Sequence, residues 1–238
     1  MKIKSDVSVV LPSYNERENI VEAIERISEA VGSRLKEIVI VDDNSPDETW
    51  KVVEEYGHPK VRLIRRMGEK GLASALDDGI QAAEGSIVVW MDCDLGLSPE
   101  EIPSLVNQLD NHDVAIASRY VKGGKDPRPF FRVSLSIAIN AFCILLLGWG
   151  VRDYTSGFAA VKKDVFDKIS FSRYGFGEYF IDFAYKAKKN KFRIIEVPCA
   201  YNIRLGGVSK SDGDIRTLLG LGKDYGLRAI RLRLGLQK

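Results

Sequence analysis

The chain has 238 residues, enough for one large domain with a full hydrophobic core. Its 45% hydrophobic and 29% charged residues are typical of a soluble protein, and its net charge of +2 gives no support for nucleic-acid binding. The cysteines Cys93, Cys143 and Cys199 are too widely spaced to indicate a zinc site or a disulfide framework, and they fit a reducing compartment. The two histidines read as surface turn residues, which argues against a Ser-His triad.

Strand and helix patterns alternate through the first 120 residues. Apolar, β-branched runs predict strands at residues 7–11, 37–41, 61–64, 86–91 and 114–117. Apolar residues at helical spacing predict helices at residues 16–31, 47–56, 71–83 and 99–109. Repeated strand–helix units of this length predict a mostly parallel sheet with right-handed crossovers.

Polar residues follow four of the predicted strands, at 13–16, 42–43, 92–94 and 118–119. The carboxyl ends of parallel strands meet at one edge of a sheet, where α/β proteins bind ligands, so this edge is the predicted site. No Gly-x-Gly-x-x-Gly follows the first strand and no Gly-Lys-Ser/Thr loop occurs. The pattern therefore argues against a dinucleotide oxidoreductase and against a P-loop NTPase.

The run Ile-Val-Val-Trp-Met-Asp-Cys-Asp at 87–94 ends in two carboxylates, Asp92 and Asp94. Residues two apart on a strand point the same way, so we expect both carboxylates to project together, with Cys93 turned away. Paired oxygen ligands suit Mg²⁺ or Mn²⁺ shared with substrate phosphates. The alternative interpretation is a solvated turn after the strand.

After the fifth strand, a loop rich in Gly and Pro at 123–129 precedes an apolar stretch at 133–151. A membrane span needs about 20 apolar residues, so this stretch is of borderline length. Three interpretations remain, namely an interfacial amphipathic helix, a buried core helix and a true span. Because Ser134, Ser136 and Asn140 interrupt its first half, the interfacial helix is favoured.

The remaining segments predict a turn into a strand at 153–161, a helix at 178–189, a strand at 193–201, a cationic loop at 203–210 and a partly helical segment at 214–234. Three glycines are expected to weaken that last helix, Gly220, Gly222 and Gly226. Basic side chains near the end would attract anionic lipid by roughly 1 kcal/mol each close to a membrane surface. These are Lys223, Arg228, Arg231 and Arg233.

Seven motifs follow one another along nearly the whole chain. They are Val-Val-Leu-Pro-Ser-Tyr-Asn-Glu-Arg-Glu-Asn-Ile at 9–20, Val-Asp-Asp-Asn-Ser-Pro-Asp at 41–47, Glu-Lys-Gly-Leu-Ala-Ser-Ala at 69–75, Met-Asp-Cys-Asp-Leu at 91–95, Ser-Arg-Tyr-Val-Lys-Gly-Gly at 118–124, Thr-Ser-Gly-Phe at 155–158, and Glu-Val-Pro at 196–198 with Ile-Arg…Ser-Lys at 203–210. In these motifs the chain resembles family 2 glycosyltransferases. The last pair is typical of the branch of dolichyl-phosphate mannose synthase and its polyprenyl-phosphate glycosyltransferase relatives. The Gln-x-x-Arg-Trp motif of processive synthases does not occur, which favours transfer of a single sugar.

The resemblance implies a GT-A fold, an α/β domain with a single Rossmann-like, mostly parallel sheet flanked by helices and a C-terminal interfacial region for the acceptor. The implied domain spans residues 1–210, with a nucleotide-sugar half at about 1–120 and an acceptor half at about 121–210 that contains the apolar helix 133–151. Residues 211–238 are then a basic amphipathic tail.

Motif matching also implies roles for individual residues. The donor nucleotide would be bound by Pro12, Tyr14, Glu16, Val41, Asp43 and the backbone of Cys93. Asp92 and Asp94 would hold the metal and the diphosphate, and with Arg119 they would be the catalytic residues. The donor diphosphate and the acceptor phosphate would be bound by Arg119, Arg132, Arg204 and Lys210. One departure is Gly96, where the family often has a glutamine as an extra metal ligand, which implies a weaker metal site or water in that place.

The predicted activity is inverting, metal-dependent transfer of one hexose, mannose from GDP-mannose, to a polyprenyl (dolichyl) phosphate, with Mg²⁺ or Mn²⁺. A phosphate monoester is largely ionised at neutral pH and acts as its own nucleophile, so no histidine base is needed. The alternatives are a UDP-sugar-dependent enzyme (with UDP-glucose, for example) acting on polyprenyl phosphate or on a soluble hydroxyl acceptor, and a non-catalytic binding module.

The predicted location is cytoplasmic and peripheral, on the cytoplasmic face of a membrane, either directly or through a separate membrane-protein partner. No nucleic-acid partner is predicted.

Overall fold

The structure, a computed structural model, describes residues 6–201 and 215–236. The strands within these ranges are β1 (Val7–Ser13), β2 (Leu35–Asp42), β3 (Val61–Arg65), β4 (Ile87–Trp90), β5 (Val114–Ser118), β6 (Ala159–Lys162) and β7 (Ile194–Pro198). The helices are α1 (Ile20–Val31), α2 (Thr49–Tyr56), α3 (Leu72–Ala82), α4 (Ile102–Gln108), α5 (Phe130–Leu147), α6 (Glu178–Lys189) and α7 (Ile215–Arg233). The predicted alternation of strands and helices is confirmed, with shifts at the boundaries.

All of these strands belong to one sheet, in the order β3-β2-β1-β4-β6-β5-β7. Strand β6 is antiparallel to its neighbours β4 and β5, and the other pairs are parallel. The sheet is thus mostly parallel, as predicted. Because β6 and β7 come from the later part of the chain, both parts build the same sheet.

Strand β1 is buried on both faces of the sheet, as its continuous apolar sequence requires. Val9 and Leu11 pack with apolar residues of α1 and α4 on one face. Val10 packs with apolar residues of α3 on the other face. Helix α3 lies close to the strand because Gly79 has no Cβ, which would otherwise collide with Val10.

An aromatic cluster fixes the end of β4. The ring of Trp90, the last residue of the strand, makes edge contacts with Phe183 and Phe171, at centroid distances of 5.1 and 5.7 Å. Such edge-to-face pairs add stability beyond area burial. The carboxylates that follow Trp90 therefore begin from a rigid position.

Helix α7 is continuous from Ile215 to Arg233, so the expectation that its glycines would leave it only partly helical is wrong. Gly222 and Gly226 lie one turn apart and face α5, where Ile139 and Phe142 approach to 3.6 and 3.8 Å of a Cβ position. Packing against α5 and α6 compensates for the low helix propensity of glycine.

The apolar stretch expected at 133–151 forms a helix that begins and ends earlier, at Phe130 and Leu147. It ends where Gly148 adopts a φ of 88°, a left-handed conformation that favours glycine. One of its polar residues, Asn140, is buried and anchors the helix to the loop before β6. Asn140 donates to Thr155 Oγ1 at 3.0 Å and accepts from Tyr154 N at 2.7 Å.

Candidate active site

A cavity of about 740 Å³ lies at the carboxyl edge of the sheet. Residues that follow β1, β2, β4 and β5 line it, so side chains from all four predicted strand ends meet there. The rest of its wall comes from α3, α5, α6, α7 and the loops between them. Nine of the sequence-predicted residues line the cavity, namely Pro12, Tyr14, Glu16, Asp43, Asp92, Cys93, Asp94, Arg119 and Arg132.

The other predicted site residues are not among those lining the cavity. Val41 is fully buried in the core between the sheet and α3, and its side chain contacts the position of Gly79. Arg204 and Lys210 lie outside the described residues, 6–201 and 215–236, and their roles remain predictions.

The carboxylate pair lies just beyond β4, which ends at Trp90, and not on the strand itself. The expectation that strand alternation aligns the two side chains is therefore wrong, because Asp92 to Asp94 belong to a turn. Asp92 is exposed, whereas Asp94 is only 6% exposed and its Oδ1 accepts a hydrogen bond from Gly96 N at 2.9 Å. The turn, rather than the pleat of the strand, brings both carboxylates to the cavity.

The turn is held in shape from both sides. Cys93 Sγ donates to the carbonyl of Pro12 at 3.2 Å, and burial raises the pKa of the Cys93 thiol, which stays neutral. Leu95 has a φ of 57°, which a leucine rarely adopts, and its buried side chain fixes this conformation. Cys93 is thus a structural link between β1 and the carboxylate turn.

Asp43 is the centre of a buried ion-pair network beside the predicted nucleoside pocket. Its Oδ1 accepts from Arg66 Nε at 2.6 Å and its Oδ2 accepts from Gly71 N at 2.7 Å. Arg66 also donates to Ser74 Oγ at 2.9 Å and to Asp78 Oδ2 at 3.0 Å. Asp43 therefore anchors the loop before α3 to the sheet, in addition to lining the cavity.

Arg119 is 7% exposed, and its guanidinium is paired with Asp153. Nε and Nη2 donate to the two carboxylate oxygens at 2.9 and 2.7 Å, and Nη2 also donates to the carbonyl of Thr155 at 3.0 Å. Burial alone would lower the pKa of Arg119, but the charge of Asp153 raises it. A charge that is already neutralised by a carboxylate is less available for phosphate than the sequence alone indicates.

Two cations that sequence reasoning missed, Lys70 and Arg128, also line the cavity. Lys70 Nζ lies 4.9 Å from the ring centroid of Tyr14, and the Arg128 guanidinium lies 4.9 Å from that of Tyr201. Lys70 belongs to the motif at 69–75 and Arg128 to the loop rich in Gly and Pro at 123–129, but neither residue was assigned a role from the sequence. The signal that identifies them is a cation beside an aromatic ring, which only the packed structure reveals.

Two tyrosines from the later part of the chain, Tyr179 and Tyr225, complete the wall. Burial raises the pKa of Tyr225 to about 12, and it also raises the pKa of Tyr179. Both hydroxyls are therefore protonated at neutral pH and are hydrogen-bond donors rather than bases.

Helix α5 has one side against the cavity and another in solvent. Its apolar residues Ile137 and Leu145 are 49% and 80% exposed, and Phe130 at its start is 86% exposed. Within the described residues it is the helix long and apolar enough to cross a membrane, with a mean hydropathy of 2.1, and 17% of it is buried. The interpretation as a buried core helix is therefore wrong.

Sequence comparison places the chain among known transferases. A model described as glycosyl transferase family 2 matches residues 8–170. The dolichol-phosphate mannosyltransferase of Pyrococcus furiosus is 41% identical over 87% of this chain, which spans 59% of that relative's length. The polyprenol monophosphomannose synthase of Mycolicibacterium smegmatis is 35% identical, covering 92% of this chain and 86% of the relative. The undecaprenyl-phosphate mannosyltransferase of Micrococcus luteus is 31% identical, covering 97% and 99%.

Among solved structures, the glucosyl-3-phosphoglycerate synthase of Mycobacterium tuberculosis is similar, with a TM-score of 0.75 at 20% identity over 98% of this chain and 80% of that chain. At this identity the similarity concerns the fold, which confirms the GT-A architecture that the motifs implied. The chain therefore belongs to glycosyltransferase family 2 and is an enzyme of that family.

Proposed function

We propose that the chain transfers one mannose, with inversion, from GDP-mannose to the phosphate of a polyprenyl (dolichyl) phosphate, with Mg²⁺ or Mn²⁺ bound. The observation that carries this proposal is a single cavity lined by a carboxylate pair and by α5 and α7, which also expose apolar side chains to solvent. An acceptor with a charged head and a hydrocarbon tail needs both features. The names of the three relatives, which all join mannose to a polyprenyl phosphate, support it.

The side chains beside the cavity fit a hard divalent cation. Asp92 and Asp94 offer carboxylate oxygens on one wall, and no cluster of three acidic, histidine or cysteine ligands occurs in the part of the chain that the structure describes. Mg²⁺ commonly takes one or two carboxylates and completes its shell with phosphate oxygens and water. When bound, such a cation stabilises the charge that develops on the departing diphosphate. The solved neighbour with Mn²⁺ and UDP supports a metal of this kind.

The reacting groups need no base from the protein. An oxygen of the acceptor phosphate attacks the anomeric carbon, and the bond from that carbon to the nucleoside diphosphate breaks, the electron pair leaving with the diphosphate. The acceptor is already ionised at neutral pH, so no proton has to be removed. The neutral hydroxyls of Tyr179 and Tyr225 are suited to orient oxygens, which agrees with this scheme.

The protein must instead bring two anions together, and this requires positive charge. Lys70 and Arg132 line the cavity, and Arg132 lies in the first turn of α5. Arginine binds phosphate through two parallel hydrogen bonds. We assign Arg119 mainly to positioning, because Asp153 neutralises it, and we retain Arg204 and Lys210 as phosphate ligands on the basis of their motifs.

Helices α5 and α7 are the proposed contact with the membrane. Leu145 in α5 is 80% exposed, and Trp149 and Leu234, just after the ends of α5 and α7, are 79% and 66% exposed, which is unusual for large apolar side chains. An exposed apolar helix face beside the cavity would bind in the headgroup region and admit the lipid phosphate from the bilayer. We therefore propose peripheral binding on the cytoplasmic face of a membrane, directly or with a membrane-protein partner.

The proposal is tested by incubating the protein with Mn²⁺, a short polyprenyl phosphate, and either labelled GDP-mannose or labelled UDP-glucose. We expect labelled lipid with GDP-mannose and loss of the product when the metal is chelated. Labelled lipid with UDP-glucose alone would identify the UDP-sugar alternative. Label transferred only to a soluble hydroxyl acceptor, or no transfer from either donor, would overturn the proposal.

A matched pair of variants tests the carboxylate turn. Asp94→Asn keeps the size of the side chain but removes its charge, and we expect a loss of at least about 100-fold in kcat. Asp164→Asn changes an exposed aspartate in the short 3₁₀ helix (Lys163–Asp167) after β6, which does not line the cavity, and should keep normal activity. Equal activity in both variants would show that the Asp94 charge is not required.

A further inference from the structure

Gly96, two residues after Asp94, is covered by the ring of Tyr201. A Cβ on Gly96 would lie 2.9 Å from Tyr201 Oη, 3.0 Å from Tyr201 Cζ and 3.1 Å from Asp94 Oδ1. The first distance is shorter than real Cβ contacts and the other two are tighter than most, so a side chain at residue 96 would have to displace the phenol. The phenol oxygen and the Asp94 carboxylate therefore face the same point.

The backbone on either side holds Tyr201 in this place. Its N donates to the carbonyl of Lys125 at 3.0 Å, and it forms an antiparallel bridge with Leu97, the residue after Gly96. This bridge joins the end of the β7 segment to the segment that follows the carboxylate turn. These contacts fix the main chain of Tyr201 without involving its hydroxyl.

A charged pair holds the ring from the other side. Arg128 lies 4.9 Å from the ring centroid, and Asp126 fixes the Arg128 guanidinium with two hydrogen bonds of 2.8 and 2.6 Å. The Asp126 side chain is only 4% exposed, so this pair is not a mobile surface contact. The side chain of Tyr201 therefore contacts both the Gly96 position and the Arg128 guanidinium, which Asp126 holds in place.

We propose that Tyr201 is a positioning residue for the divalent cation, a role that rests on the proposed function. Its hydroxyl orients the Asp94 carboxylate and holds a water ligand of the cation. A phenol can donate one hydrogen bond and accept others, which this task requires. No group of three acidic, histidine or cysteine side chains that could hold a metal occurs among the described residues, so a polar group beside Asp92 and Asp94 matters for affinity. Groups that orient metal ligands in this way commonly change affinity 10- to 100-fold when removed.

Mn²⁺ binding to the purified protein tests this role without measuring turnover. Free Mn²⁺ is followed by electron paramagnetic resonance in the presence of saturating GDP, and again with UDP. For Tyr201→Phe, which keeps the ring and its contact with Arg128, we expect the Kd for Mn²⁺ to rise about 10-fold. The affinity for nucleotide without metal should be unchanged. The control, Tyr174→Phe, removes the hydroxyl of a 71% exposed tyrosine that does not line the cavity and should bind Mn²⁺ normally.

A second variant tests whether the Tyr201 hydroxyl must lie at its native position or need only be present. Gly96→Ala displaces the phenol while leaving its hydroxyl in the protein, and we expect it to weaken Mn²⁺ binding as Tyr201→Phe does. In the double variant the two effects should not add, because both remove the same contact.

Unchanged Mn²⁺ affinity in Tyr201→Phe, with normal binding by the wild-type protein, would overturn this inference alone. No Mn²⁺ binding by the wild-type protein with either nucleotide would overturn the proposed metal dependence as well.

Discussion

Arg119 and Asp153 form a buried ion pair in which two nitrogens of one guanidinium donate to the two oxygens of one carboxylate, at 2.9 and 2.7 Å. The pair joins the end of β5 to the loop before β6, and Asp153 Oδ2 also accepts from the backbone N of Arg119 at 3.0 Å. The same loop is held to β7, because Asp153 N donates to Glu196 Oε1 at 2.9 Å. Asp153 therefore links the loop before β6 to the end of β5 and to β7.

Breaking this pair should destabilise the protein strongly. Arg119→Gln leaves the Asp153 carboxylate buried and without its counter-charge, which typically costs about 3–5 kcal/mol of unfolding free energy. Urea denaturation followed by circular dichroism measures the change. The matched control is Arg193→Gln, since Arg193 makes the same two-bond contact to Asp113, at 3.1 and 2.8 Å, but its side chain is 59% exposed. We expect a much smaller change there. Similar losses in the two variants would contradict the structural role of the Arg119 pair.

The exposed face of α5 should determine membrane binding. Leu145→Ser removes an apolar side chain that is 80% exposed, and the lost burial in lipid is worth about 1.5–3 kcal/mol, roughly a 10- to 150-fold decrease in vesicle partitioning. Sedimentation with vesicles containing anionic lipid measures this. Met67→Ser, at a 71% exposed residue in the loop after β3, is the control and should bind as the wild type does. If both variants bound equally well, α5 would not be the contact.

The exposed ion pair between Arg26 and Glu100 should make the unfolding free energy depend on pH in the acid range. Arg26 donates to both oxygens of Glu100 at 2.9 and 2.8 Å and holds the pKa of Glu100 at about 2, below its usual value of 4.5. Because the folded-state pKa is lowered, this stabilisation is present above pH 4.5 and is lost as the pH falls to about 2.

Arg26→Gln should therefore lower the unfolding free energy at pH 7 by less than about 1 kcal/mol, since Glu100 is largely exposed, and the difference should vanish near pH 2. Urea denaturation at several pH values between 2 and 7 tests this. Arg34→Gln is the control, because Arg34 donates to the neutral amide of Asn107 and should show no such pH dependence. If the loss of unfolding free energy in Arg26→Gln persisted unchanged at pH 2, the pH dependence could not be assigned to Glu100.

Replacing the exposed Gly220 of α7 with alanine should stabilise the protein. Gly220 is exposed, and a Cβ there would meet no atom within 4 Å, so Gly220→Ala should raise the unfolding free energy by about 0.5–1 kcal/mol. Gly177→Ala is the opposite case, because its Cβ would collide with Tyr225. Thermal denaturation should show a higher Tm for the first variant and a lower Tm for the second. A lower Tm for Gly220→Ala would mean that α7 is not a regular helix at this position.

Much of the fold was predictable, because hydrophobic periodicity is visible in short windows. The limits of α6 were predicted to the residue, and α2 and β5 to within two residues. The errors fall where packing overrides local propensity. Helix α7 is continuous despite its glycines because α5 fills the space beside them, and the carboxylate turn begins beyond β4 because its own hydrogen bonds end the strand.

The sequence predicted many residues of the candidate site but not the residues that pair with them. Nine predicted residues line the cavity because the motifs lie at strand ends, and the order of a parallel sheet brings strand ends together. The partners of those residues were not predictable in the same way. Asp153 was interpreted as part of a turn, because its ion pair with Arg119 joins distant segments and leaves no local pattern. Asp126 and Arg128 were interpreted as part of a flexible loop, although they pair with each other.

The sequence by itself determined the α/β class, the family and the presence of the carboxylate pair Asp92 and Asp94, because each depends on residues that are close along the chain. Only the tertiary structure decided that Arg119 is paired with Asp153, that α5 exposes its apolar side and that Tyr201 occupies the space above Gly96. These features depend on which surfaces pack together, and the free energy of that packing comes from contacts between distant parts of the chain.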